Sequence, residues 1–276
     1  YEISLGLVGS EMCIRDSVSG ASMLGMVISL LLSVGLPIFL GIFIYKKTKA
    51  WVPAFFIGCG IFVGFAMILE QICHAIVLTV TGDVIRDNIW LYAIYGGLAA
   101  ALFEECGRWI AMTFCLKKHL TRENALMYGA GHGGIEAFLI LGMSSMSNLL
   151  TAAMINGGLM EKTMTALEPA QQEVTYHQLS VLWTTPAYQF YLAPMERISA
   201  IALQIALSIL VYSAVKTGRK LHLAAAFGLH FAVDFLTVVC ASTIPTWALE
   251  LGLLMVVAVI CVVVYQLVYV QMAEKK

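Results

Sequence analysis

Seven apolar runs, each about long enough to cross a ~30 Å hydrocarbon core, constrain this chain more than any other feature. They cover residues 24–45, 52–78, 89–116, 124–143, 188–214, 221–241 and 246–271. Inside a bilayer every backbone N–H and C=O must find a partner within the chain, so runs of this length are expected to be helices. The expected fold class is all-α: a polytopic membrane helix bundle with seven transmembrane helices. Composition agrees, because 60% of the residues are hydrophobic and only 12% are charged, where a soluble domain carries roughly 25%. The lipid bilayer is therefore an expected partner. Nucleic acid is not, since a net charge of −1 leaves no basic excess.

Between the fourth and fifth runs lies a longer stretch, Ser144 to Pro186. Its first part, Met146 to Gly157, is apolar but too short to span and reads as one short re-entrant or interfacial segment. Its second part carries Glu161, Lys162, Glu168, Pro169 and Glu173 and reads as an exposed loop. Short loops rich in Lys and Arg stay cytoplasmic. Lys46, Lys47, Lys49, Lys117, Lys118, Arg122, Lys216, Arg219, Lys220, Lys275 and Lys276 all fall on one side, against Arg86 and Lys162 on the other. This predicts the N-terminus outside and the C-terminus cytoplasmic in a bacterial plasma membrane. Residues 1–17 are set apart: Leu7 to Ser17, LVGSEMCIRDS, back-translates into a transposase sequencing adapter and is expected to be an assembly scar. Residues 18–276 are expected to form a single transmembrane domain.

Against this apolar background six ionisable side chains need an explanation: Glu104, Glu105, His132, Glu136, His230 and Asp234. A carboxylate at mid-bilayer costs about 2.5–3.5 kcal/mol even on lenient insertion scales, so the default reading is a functional site. Glu104 and Arg108, His132 and Glu136, and His230 and Asp234 are each four residues apart, on one face of their helices. Glu105 points about 100° away from Glu104, which predicts one carboxylate paired with Arg108 and the other free. Counting from the basic ends of their runs at 1.5 Å per residue, His132 and His230 lie about 14 Å deep and Glu104 about 18 Å. At a common depth they can meet. The glycines beside His132 (Gly129, Gly131, Gly133 and Gly134) are costly in a helix unless another backbone or a substrate comes close. A buried Glu flanked by His is equipped to activate water, as a general base or around a metal.

In their order, FEECGRW, GHGGIEA, a Glu-Arg pair at Glu196-Arg197 and HFAVDF resemble the YhfC family of intramembrane metalloproteases. That family is itself similar to PrsW-like and CAAX-type (CPBP) proteases. The resemblance covers nearly everything after the adapter-like stretch. It implies an intramembrane protease, of metallo or glutamic type, acting on a membrane protein or peptide. Carried over by position, Glu104 and His132 would activate water, and His230 with Asp234 would stand at the oxyanion. Glu105, Arg108, Glu136 and Glu196 would support them. A metal alternative uses His132, His230 and Glu136 as ligands, donor types that suit zinc, whereas a glutamate-type reaction needs no cofactor. The Arg follows the second Glu by three residues, closer than in the CAAX-type pattern.

Two other classes compete. A proton- or ion-coupled transporter also needs buried carboxylates and histidines, but predicts an inverted repeat that the sequence does not display. A non-catalytic scaffold of peptidase ancestry is the second. Glu70 and His74, a further pair at four residues' spacing on the second run, lie outside the resemblance and read first as a structural pair.

Overall fold

The computed structural model describes residues 17–272. The adapter-like stretch, apart from Ser17, lies outside the described residues, as do Lys275 and Lys276. Nine helices carry the described fold, and no strand occurs among these residues. They are α1 (Gly20–Thr48), α2 (Pro53–Thr81), α3 (Ile89–Cys115), α4 (Arg122–Asn156), α5 (Leu159–Met164), α6 (Pro169–Thr184), α7 (Ala187–Thr217), α8 (Lys220–Ala241) and α9 (Thr246–Tyr269). All but α5 and α6 are long and apolar enough to cross a membrane, which gives the seven expected spans. A four-residue helical turn, Asp83–Arg86, lies between α2 and α3.

Local chemistry sets the helix ends. The Ser19 hydroxyl accepts from the Ser22 N–H, the Asn88 carboxamide from Trp90 and Leu91, and the Thr121 hydroxyl from Asn124, so each satisfies first-turn donors. Pro53 and Pro169 open α2 and α6, where a missing N–H costs nothing. Gly218 closes α7 in the left-handed conformation, at φ 72°.

The stretch between the fourth and fifth spans differs from its sequence reading. Met146–Gly157 is continuous with the fourth span instead of a separate piece: α4 runs on to Asn156 through a wider, π-helical turn at Phe138–Gly142. The run falls below spanning length only if it is counted apart from the helix before it. The stretch after it, read as a loop, forms α5 and α6. There the charged residues stud helices rather than marking their absence.

One helix holds the bundle together. In α7, 72% of the most apolar stretch is buried, against 17–33% in the other spans, so α7 is central and the rest surround it. Outward faces carry Phe39, Ile42, Phe56, Val80, Met255, Val259 and Val263, all exposed. In lipid that costs nothing. Inside, α2, α4 and α7 approach backbone to backbone. A Cβ on Gly131 would collide with the Phe55 carbonyl, and one on Gly58 with the Tyr128 carbonyl. A Cβ on Gly133 would stand 3.0 Å from Ile201 Cα and Gln204 Cβ. The glycine-rich face of α4 therefore serves close approach of neighbouring backbones, and so sets His132 deep between α2 and α7.

Candidate functional site

Glu104, Glu105, Arg108, His132, Glu136, Glu196, Arg197 and His230 belong to one hydrogen-bonded network at the middle of the bundle, with Asp234 at its edge beside His230, while Glu70 and His74 pair with each other outside it. The hub of the network is Arg108 of α3, which is fully buried. Its Nη1 donates to Glu105 Oε1 at 2.9 Å and its Nη2 to Glu104 Oε2 at 3.4 Å. Nη2 also donates to Gln204 Oε1 and lies 3.2 Å from His132 Nε2. The expectation of one paired and one free carboxylate is therefore wrong. Residues three apart on a helix are neighbours as surely as residues four apart, and the Arg fork has donors enough for both.

Glu104 is held by three groups at a single oxygen. His132 Nε2 is 2.8 Å, Gln204 Nε2 2.9 Å and Arg108 Nη2 3.4 Å from Oε2. No hydrogen bond from another described residue reaches Oε1. His132, fully buried, has its Nδ1 3.4 Å from the Tyr128 hydroxyl and its ring edge against Phe62. If Tyr128 donates to Nδ1, the proton lies on Nε2, where it points at Glu104.

His230 of α8 sits between two carboxylates: Nδ1 is 2.8 Å from Glu105 Oε1 and Nε2 is 3.5 Å from Asp234 Oδ2. Glu136 of α4 accepts from Gln204 Nε2 at 2.7 Å and from Arg197 Nη1 at 3.1 Å, and Arg197 also pairs with Glu196. The network thus joins α3, α4, α7 and α8, the common depth that residue counting implied.

It forms the floor of a cleft of about 450 Å³. Glu104, Glu136, Gln204 and His230 line the inner part, and Asp234, Glu196 and Arg197 lead outward toward Gln71, His74, Tyr95 and Thr237. Exposure rises along that path, from 8% for the Glu104 side chain to 36% for Asp234 and 39% for Glu196. The cleft therefore opens toward the end of the bundle that carries the α2–α3 and α8–α9 connections. Lys47, Lys117 and Lys216 are at the other end.

The three residues named as metal ligands are not gathered about one point. His132 Nε2 is turned to Glu104 and Arg108, His230 Nδ1 to Glu105, and Glu136 to Gln204 and Arg197. Among the described residues no group of three or more His, Cys, Asp or Glu is disposed to hold a metal ion. The reason is Arg108: its guanidinium already supplies the positive charge among these carboxylates, and a dication on His132 Nε2 would stand against it. As arranged, the donor set does not fit a metal.

Sequence reasoning missed Gln204, a bridge between Glu104 and Glu136. A signal was present: it is a lone carboxamide in the apolar stretch Ala202–Ala206, seven residues after Arg197 and so on the same face of α7. Glu250 of α9, also missed, is buried with Oε2 unpartnered.

Fold and site together define an integral membrane helix bundle with a buried Glu-His-Arg centre at the foot of a polar cleft. Residues 32–264 match the model of the YhfC intramembrane metalloprotease family. The chain belongs to that family. It is 43% identical over 204 residues to the uncharacterized membrane protein YhfC of Bacillus subtilis (strain 168), an alignment covering 71% of this chain and 76% of that protein. No solved structure matches it.

Proposed function

We propose that the protein is an intramembrane peptidase that hydrolyses a peptide bond of a membrane protein or peptide in or near the bilayer, with Glu104 as general base. The observation that carries this reading is the one-sided hold on Glu104. Three donors converge on Oε2 at 2.8–3.4 Å and leave Oε1 for a water in the cleft that Glu104 lines. A carboxylate so fixed is oriented without being blocked.

In the reaction, Glu104 Oε1 takes a proton from the water as its oxygen bonds to the scissile carbonyl carbon. The carbonyl π electrons move to oxygen, and His230, as the imidazolium held between Glu105 on Nδ1 and Asp234 near Nε2, turns its Nε2–H from Asp234 to the oxyanion at the cleft wall. Protonated Glu104 then returns its proton to the amide nitrogen. The C–N bond breaks, leaving an acid and an amine. Asp234, which as a carboxylate could not itself donate to an oxyanion, acts by orienting His230. His132 and Arg108 position Glu104; Glu136 and Glu196 hold Gln204 and Arg197 behind it. No step is routed through a metal, because Arg108 stands among the donors that a metal would need.

By the distribution of basic residues, the cytoplasmic face of the bacterial plasma membrane is the Lys-rich end. The cleft then opens outward, and the substrate enters from outside.

The test is cleavage of a membrane-peptide library by the purified protein in lipid nanodiscs. Glu104→Gln and His132→Ala are each expected to lower the rate at least about a hundredfold. Cleavage that survives both substitutions would sink the proposal. A strong chelator is expected to leave the rate unchanged; loss that zinc restores would return the site to metal chemistry.

A further inference from the structure

Glu70, His74 and Tyr95 form a second polar chain that the hydrolytic centre does not use. His74 Nε2 is 3.2 Å from Glu70 Oε1, and its Nδ1 is 2.7 Å from the Tyr95 hydroxyl. The imidazole and phenol rings meet edge to face, with centroids 5.3 Å apart. The arrangement lies on the wall of the same cleft, which both His74 and Tyr95 line together with Gln71.

Local backbone geometry brings it there. Glu70 ends an eight-residue π-helical stretch, Val63–Glu70, within α2. Its neighbours Met67, Ile68, Leu69 and Ile72 face outward, while Glu70 is 6% exposed. Widened helical turns of this kind recur at functional positions, where they turn a side chain that regular winding would leave elsewhere.

A pair that only tied α2 to α3 could be sealed between them. This one ends in a hydroxyl at an open wall. While Glu70 is ionised it only accepts, so in that state it fixes the imidazole proton on Nε2, and Nδ1 accepts from Tyr95. The Tyr95 oxygen, which also lies beside the Cys73 thiol, keeps lone-pair capacity at the cleft wall to accept an N–H.

Peptide hydrolysis supplies a ligand of that chemistry. A segment cut inside a membrane must be unwound, and each backbone N–H freed from its helix costs several kcal/mol unless the site pairs it. Tyr95 precedes Glu104 by nine residues on the α-helical part of α3, which places it about 14 Å outward along the axis. Nine residues also turn Tyr95 to the opposite side of α3 from Glu104, so a peptide that touches both within the cleft they line spans at least about four extended residues. The geometry points to Glu70–His74–Tyr95 as a substrate subsite that holds a backbone N–H of an unwound membrane segment, at least about four residues to the outer side of the bond cut at Glu104.

This inference rests on the hydrolytic reading, so its test is a binding measurement that needs no turnover. The probe is a dye-labelled single-span peptide of Leu and Ala with a Gly-Pro pair near its outer end, titrated into Glu104→Gln protein in nanodiscs. Adding Tyr95→Phe, which keeps the ring and removes the acceptor, is expected to raise Kd about five- to tenfold with an unchanged melting temperature. Glu70→Gln, which loosens the imidazole, is expected to act in the same direction by less. A probe of the same length without the Gly-Pro pair is expected to show no dependence on Tyr95. Equal affinities with and without Tyr95→Phe would overturn the subsite.

In the active protein the matching signature is a raised KM with kcat unchanged. A fall in kcat at constant KM would assign Tyr95 to the chemistry and overturn the inference as well. The two readings fail separately. A wild-type protein that cleaves nothing removes the peptidase, whereas cleavage with Tyr95-independent binding removes only the subsite.

Discussion

The two halves of the bundle, divided along its axis, are built from the same helices and do opposite things. Toward the Lys-rich end, Met112 and Leu116 of α3, Met127 and Tyr128 of α4, and Leu207, Leu210 and Val211 of α7 pack into one buried apolar cluster. That end is also tied laterally: Trp51 stacks on His119 at 4.2 Å, the Trp51 backbone N–H donates to Asn124 Oδ1 at 2.7 Å, and Arg122 lies over the Tyr269 ring at 4.6 Å. Toward the other end the same α7 presents Arg197, Ser199, Ala200 and Gln204 to an open cleft. One turn of α7, from Leu203–Gln204 to Leu207, marks the change. The proposed hydrolysis would use this division, since water would have to reach the floor of the cleft without crossing the bundle.

The largest expected break is at the boundary itself. Arg108→Ala removes the one guanidinium that faces Glu104 and Glu105 together, with His132 and Gln204 also within its reach. Leaving buried carboxylates without their cation costs about 3–5 kcal/mol, so the variant is expected to fail to accumulate in the membrane fraction. Normal accumulation on an immunoblot would show that Arg108 is not the hub. Next come two substitutions on α7 that should separate the halves. Leu207→Ala, fully buried in the packed cluster, is expected to lower stability by about 2–5 kcal/mol, read as melting temperature in nanodiscs, while the surviving folded protein keeps its kcat. Ala200→Phe fills the cleft instead and is expected to leave melting unchanged and abolish cleavage. Reversed results would mean that the open half is structural and the packed half is functional.

The same division explains what the sequence could disclose. Spans were legible because lipid forces a length and an apolar composition on each of them, and the side chains of the centre were legible because charge in that setting is costly. Glu104, His132 and His230 could be placed at one level by counting residues. What could not be read was partnership. Whether Arg108 takes Glu104 or Glu105 depends on side-chain reach rather than helical angle, and it takes both. Whether His132, His230 and Glu136 are placed to share a metal depends on what their donor atoms face, and these face Glu104 and Arg108, Glu105, and Gln204 and Arg197 respectively. The continuity of Met146–Gly157 with α4 was not legible for a similar reason, since a π-helical turn that joins the two leaves no mark in hydropathy. Gln204 escaped because an uncharged carboxamide raises no electrostatic alarm, although in hydrocarbon its four hydrogen-bonding positions demand partners almost as firmly.

Gln204 provides the smallest and sharpest test. Its Nε2 reaches Glu104 Oε2 at 2.9 Å and Glu136 Oε2 at 2.7 Å, and its Oε1 accepts from Arg108. Gln204→Leu keeps the volume and deletes all three interactions. Glu104 still has His132 and Arg108 on Oε2, so it remains charged and near its place, but one of the three restraints on its angle is gone. Losing a hydrogen bond to a charged group costs about 1.5–3 kcal/mol in the state that uses it. If the restraint matters chiefly while Glu104 is taking the proton, kcat falls about tenfold or more while KM holds. A change confined to KM would instead place Gln204 among the groups that meet substrate along the cleft wall. The carboxamide would then belong with Tyr95 rather than with the floor, and the boundary between the two halves would move one turn inward along α7.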